Sequence, residues 1–87
     1  MMPEISRFLG IIIAMFYNDH SPPHFHVRYG EYKAIVGIDS LFQIEGNLPP
    51  RVLGLVIEWA SLHQPELREN WERARRLEPL VNIPPLL

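Results

Sequence analysis

The chain has 87 residues, 47% of them hydrophobic, and a net charge of −2: enough apolar mass for one modest core, without general attraction to phosphate backbones or acidic membranes. Nucleic-acid contact therefore needs a local basic patch. Because the chain has no cysteine, disulfides and thiolate zinc sites are excluded, and histidine and carboxylate remain as metal ligands.

Met1-Met2 suggests an alternative start or a one-residue extension, since Met2-Pro3-Glu4 is itself an ordinary beginning. The longest apolar run, residues 9–16, is too short to span a bilayer, and no charged leader precedes it. A cytoplasmic bacterial-type protein without membrane association is expected. Ile5-Ser6-Arg7-Phe8 alternates, Leu9-Gly10 offers a turn, and residues 11–17 are β-branched and aromatic, which predicts a hairpin whose second strand is central. The stretch D-H-S-P-P-H-F-H, Asp19 to His26, follows with three of the four histidines. Its prolines lock φ and make a stiff bend into the next strand. After Gly30-Glu31, whose leading glycine suits a type II′ turn, residues 32–39 return as the partner strand.

That loop length sets a register. Tyr29 opposes Tyr32, Arg28 Lys33, Val27 Ala34, His26 Ile35, Phe25 Val36 and His24 Gly37. Phe25, Val27, Ala34 and Val36 then share the core face with the tyrosines. His24, His26 and Arg28 are predicted on the opposite, wetter face, with Gly37 leaving open space beside the His24 ring. A short strand over residues 42–45 ends the sheet. Asn47 before Leu48-Pro49-Pro50 reads as a helix cap, Val52, Leu55, Val56, Trp59 and Ala60 form one apolar stripe, and Leu67, Trp71, Ala74 and Leu77 form a second. The expectation is an α+β single domain, 1–87: a four- to five-stranded, mainly antiparallel sheet over about residues 4–46, with helices over about 48–63 and 65–78 on one face. The proline-broken tail, 79–87, is expected to lie extended over a groove or to dock on a partner.

The histidines carry the chemistry. His24 and His26, at i and i+2 on a strand, point the same way and can converge on one ion, with His20 or Asp19 as a third ligand. Three ligands and an open position are what a hydrolytic divalent metal such as zinc needs to activate water. Without a metal, His24 and His26 could act as general acid and base in RNA cleavage, with Arg28 or Lys33 steadying the phosphorane charge. The bland reading is that His20 and His24 donate to backbone carbonyls and only clamp the turn. His63 reads as a helix-end dipole contact, and Trp59 and Trp71 as core anchors. Asp39 and Glu45 read as turn and edge residues. Glu69 with Arg73 and Glu72 with Arg76 stand at i, i+4, so the arginines of the second helix read as a self-paired solvated face rather than a nucleic-acid surface.

The runs M-P-E-I-S-R-F-L-G-I-I-I-A-M-F-Y-N-D-H-S-P-P-H-F-H-V-R-Y, G-N-L-P-P-R-V-L-G-L-V-I-E-W-A and E-L-R-E-N-W-E resemble the small bacterial family catalogued as domain of unknown function 4160, across nearly the whole chain. The resemblance implies a gene beside another small gene, in a pair likened to a toxin-antitoxin module. It brings no reaction with it. On that footing the chain is expected to be the toxin-like component, acting on RNA through the histidine-bearing face and partnered by the small protein encoded next to it. The alternatives are a metal-binding module or metal-dependent hydrolase using the His20, His24 and His26 cluster, and a non-catalytic interaction domain with a structural histidine turn. A sheet edge left open would favour a homodimer.

Overall fold

The computed structural model describes residues 3–87; the alternative start read in Met1-Met2 lies outside the described residues. Strand β1 (Glu4–Phe8) turns through Leu9 and Gly10 into β2 (Ile11–Ala14). Both turn residues have positive φ, 51° and 80°, the twist that lets two antiparallel strands close a two-residue loop. Strands β3 (His24–Tyr29), β4 (Tyr32–Gly37) and β5 (Gln43–Asn47) complete a five-stranded antiparallel sheet in the order β1-β2-β3-β4-β5. Each strand pairs with its neighbour in sequence, so every pairing closes a short loop at low entropic cost. Helices α1 (Pro50–Leu62) and α2 (Gln64–Arg75) follow, completing the α+β architecture read from the sequence.

The β3–β4 register is the one that the Gly30-Glu31 loop implies, six pairs from His24 opposite Gly37 to Tyr29 opposite Tyr32. Gly30 has φ +58° and Glu31 does not share the positive sign, as a type II′ turn requires. Phe25, Val27, Ala34 and Val36 are buried on one face with Phe8, Ile11 and Ile13. Onto that face α1 sets Trp59, its ring centroid 5.6 Å from Phe8 and 5.9 Å from Phe25. Val52, Val56 and Ala60 of α1 and Leu67, Trp71 and Ala74 of α2 finish the core. On the other face His26 and Ile35 are half-buried and Arg28 and Lys33 are exposed.

Four local readings are corrected. Asn47 does not cap α1: it is the last residue of β5, and Pro49 stands at the N-cap without a side-chain bond. His24 is not on a wet surface but is 5% exposed, because Trp71 of α2 reaches its ring at the strand end, centroids 5.2 Å apart. Nor does Gly37 leave open space beside it, since a Cβ there would collide with Ser40 Oγ and stand 3.5 Å from Ile44 Cδ1. On α2, Glu69 does pair with Arg73 at 3.3 Å, but Glu72 takes Arg75 at 3.4 Å while Arg76 turns to Glu78 at 3.0 Å. These exposed pairs add little stability. Their consequence is that the arginines of α2 are occupied.

The tail runs extended against its own chain. Ile83 N–H donates to Ile5 C=O of β1 at 2.8 Å, Ile83 itself is buried, and Trp59 Nε1–H donates to Pro84 C=O at 2.9 Å. Asn70, a buried amide on α2, donates Nδ2–H to Val81 C=O and accepts Val81 N–H on Oδ1, both at 2.8 Å. None of the described helices is long and apolar enough to cross a membrane.

The sheet ends at β5 in a bulge beside Ile35 and Val36, a device that bends an edge away from further pairing. Gly46 there has φ +90°, and a Cβ would run into the Lys33 carbonyl oxygen and stand 2.6 Å from Ala34 Cα. Gly46→Ala is therefore expected to destabilise the fold by about 1–3 kcal/mol, read as a lower urea midpoint at unchanged slope. An unshifted midpoint would show that the β5 backbone yields freely.

Candidate metal centre

The segment between β2 and β3 builds the site. Its backbone turns at Asn18, which has φ +54°, and Asn18 N–H donates to Ala74 C=O at the end of α2, 3.2 Å away. That bond anchors the loop just before Asp19. The Ser21-Pro22 peptide is cis, and the chain then enters β3 directly at His24. His24 and His26, two residues apart on one strand, bring their rings side by side with centroids 5.2 Å apart.

Asp19 is the hub. Its Oδ1 accepts the His20 backbone N–H at 2.9 Å, which turns Oδ2 inward. There Oδ2 lies 2.9 Å from His24 Nε2 and 3.2 Å from His26 Nε2. The three ligand atoms of Asp19, His24 and His26 all lie within 4.8 Å of one another. His24 Nδ1 stands 2.7 Å from Pro22 C=O. A carbonyl only accepts, so Nδ1 carries a proton and donates it, and the tautomer follows from the partner. Neutral His24 then presents a bare Nε2 lone pair to a carboxylate oxygen, a repulsive contact at this distance. A proton or a metal cation between the two atoms relieves that contact. Fixing one ring nitrogen on a backbone carbonyl is also how metal-binding histidines are oriented.

Phe16 stands edge-on to the His26 ring at 4.3 Å, and Trp71 covers His24 on the other side. Asp19 retains 16% side-chain exposure and His26 23%, so the centre is partly open to solvent. It faces a cavity of about 150 Å³ bounded by Pro22, Ile35, Ile44 and Glu45, room for several waters. Burial works to raise the Asp19 carboxyl, but the hydrogen bonds from His26, the His20 backbone and His24 outweigh it and hold it below its ordinary value of 3.8. A lowered folded-state value means stability that is present above the unfolded value and lost as pH falls through the folded one. Asp19→Asn is expected to lose stability relative to the parent at pH 6, with the gap closing below about pH 4. Urea unfolding from pH 6 to pH 2 measures it, and a gap constant with pH would remove the carboxylate from the account.

The structure thus brings together Asp19, His24 and His26. His20 is not drawn in: its side chain is 92% exposed, and its ring reaches only the outer oxygen of Asp19, at 3.2 Å. The turn clamp expected of His24 is present as its bond to Pro22, and it coincides with the orientation that a ligand needs. Arg28 lies outside the cluster, one strand position pair further along the same face. His63 sits between the helices with Nδ1 2.8 Å from Glu66, and Asp39 holds Arg68 at 2.7 Å. Sequence reasoning missed Phe16 and Trp71 as walls of the site and Glu45 as a bordering carboxylate. Only the period of two along β5 and the aromatic ending of the β2 run pointed to Glu45 and Phe16.

A family model described as Domain of unknown function (DUF4160) matches residues 10–72, which include every residue of this centre. No curated protein and no solved structure matches the chain.

Proposed function

The chain belongs to the DUF4160 family, which brings no reaction with it, and from its own geometry we propose a divalent-metal centre, ligated by Asp19, His24 and His26, that activates water for hydrolysis. The observation that carries this reading is the convergence of two imidazole nitrogens on one carboxylate oxygen while the second nitrogen of His24 is committed to Pro22. Two histidines and one carboxylate suit zinc, manganese or ferrous iron, and three protein ligands leave a position for water. Bound there, the ion would lower the pKa of that water and supply a hydroxide at neutral pH. His24 and His26 hold the ion, Asp19 offsets its charge, and the Pro22 carbonyl keeps His24 in register.

Calorimetric titration of the protein with Zn²⁺, Mn²⁺ and Fe²⁺ tests it. At least one ion is expected to bind at micromolar Kd or tighter, and at 100-fold excess over Kd to stabilise the fold by about 2.7 kcal/mol. His24→Ala and Asp19→Ala are expected to weaken binding at least about 100-fold, against less than about 10-fold for His20→Ala. No binding tighter than about 1 mM would leave the cluster as a hydrogen-bonded clamp of the turn. For the biological setting we retain the toxin-like role in a two-gene module, with the neighbouring small protein as partner. Expressed alone, the chain is expected to slow growth, and His24→Ala with His26→Ala to relieve it.

A further inference from the structure

Beside the metal centre, and sharing His26, Ile35 and Glu45 with its cavity, a second groove of about 340 Å³ runs across β3, β4 and β5 on the face that the helices leave open. Its floor is apolar, made by Phe16 and Ile35, and one wall carries Arg28 and Lys33 directly opposite each other across the strand pair. Like charges facing each other in a sheet are unfavourable unless an anion lies between them. Among the described residues neither cation forms an ion pair, nor does Arg51 on α1, whereas Arg7, Arg68, Arg73, Arg75 and Arg76 all do. Glu45, across the groove, offers an acceptor for neutral donors such as hydroxyl or amino groups.

We propose that this groove seats the substrate of the metal centre, and that the substrate is a single nucleotide unit: a phosphate held by Arg28 and Lys33, with its planar base on the apolar floor beside Phe16. The inference rests on the hydrolytic reading for its purpose but not for its binding energy. The charge pattern favours a small phosphate ester over a nucleic-acid strand. Two cations match one phosphate, the net charge of the chain is −2, and the arginines of α2 are engaged with Glu69, Glu72 and Glu78. The groove is also of a size that holds one nucleotide rather than a run of them.

Calorimetric titration with adenosine 5′-monophosphate, adenosine and inorganic phosphate, on chelator-treated and on Zn²⁺-treated protein, decides it. Adenosine 5′-monophosphate is expected to bind at sub-millimolar Kd and at least about ten-fold more tightly than either fragment. Arg28→Ala with Lys33→Ala, both exposed positions, should weaken it at least about ten-fold and leave Zn²⁺ affinity within about two-fold. Phe16→Leu should weaken the nucleotide and leave inorganic phosphate unchanged. Nucleotide binding without any Zn²⁺ binding would uphold the groove and refute the metal centre; Zn²⁺ binding with no nucleotide binding at 5 mM, or so, would do the reverse. An oligoribonucleotide binding at least about ten-fold more tightly than the mononucleotide would overturn the single-unit seat in favour of a strand.

Discussion

Trp59→Ala is expected to leave the chain largely unfolded at 37 °C. The ring is fully buried between Phe8 and Phe25 and also holds the tail through Pro84. Emptying a site of that size costs about 3–5 kcal/mol where the walls collapse only partly. Stripping the Pro84 carbonyl of its donor adds about 1–3 kcal/mol. Domains hold only about 5–15 kcal/mol in total, and a chain of this length with a modest core sits at the low end, which the sum matches. Trp59→Phe separates the two effects by keeping most of the apolar volume and deleting the N–H. It should cost about 1–3 kcal/mol, with Trp71 fluorescence and circular dichroism in urea as the readouts. A loss under about 1 kcal/mol for the alanine variant would mean that the sheet and α1 pack far more plastically than their contacts indicate.

Asn70→Ala carries the second large effect. One buried amide serves both the N–H and the C=O of Val81, in the manner of a neighbouring strand. Alanine leaves two backbone groups without partners, at about 1–3 kcal/mol each where they stay dry, and water entering to serve them would release the tail. The expected loss is about 3 kcal/mol, with the Ile83 amide exchanging much faster than the β3 amides. Asn70→Asp supplies the sign test. Its ionised carboxylate still accepts from Val81 N–H but faces the Val81 carbonyl, so the folded state favours the protonated acid. A group whose folded value is raised in this way loses stability as pH rises through its titration. The aspartate variant should therefore be weakest near neutrality and recover towards pH 3. Equal stability of parent and alanine variant, with unchanged exchange at Ile83, would detach the tail from the fold.

The sheet was legible where local rules act alone. Gly30-Glu31 leaves only one loop length, and the period of two carries that register through six pairs. The same alternation misjudged His24, because a strand-end residue is also exposed to whatever packs across the end of the sheet, and Trp71 arrives there from a helix that the strand pattern does not mention. Gly37 failed for a related reason: Ser40, from the β4–β5 connection, and Ile44 of β5 fill the space that its missing side chain leaves. Asp19 was half legible. It stood among the candidate third ligands, but choosing it over His20 required the backbone bond at His20 N–H that turns Oδ2 inward. Asn70 could have been found, since it falls with Leu67, Trp71 and Ala74 on the buried stripe of α2. A polar residue on such a stripe needs a specific partner.

The tail contacts also bear on how the protein is made. Ile83 closes the β1 edge at Ile5, Asn70 finds both its partners on Val81, and the Trp59 indole finds its acceptor at Pro84. Synthesis runs from the first strand onward, so residues 81–84 are added after the segments of the sheet and both helices that they complete. Until residues 81–84 emerge, the rest of the chain can form at most an unsealed core, since the β1 edge at Ile5 and the Asn70 amide lack these partners. Chaperones and proteases would meet the molecule in that interval, and a ribosome stalled shortly before residue 81 would release a species that cannot finish folding.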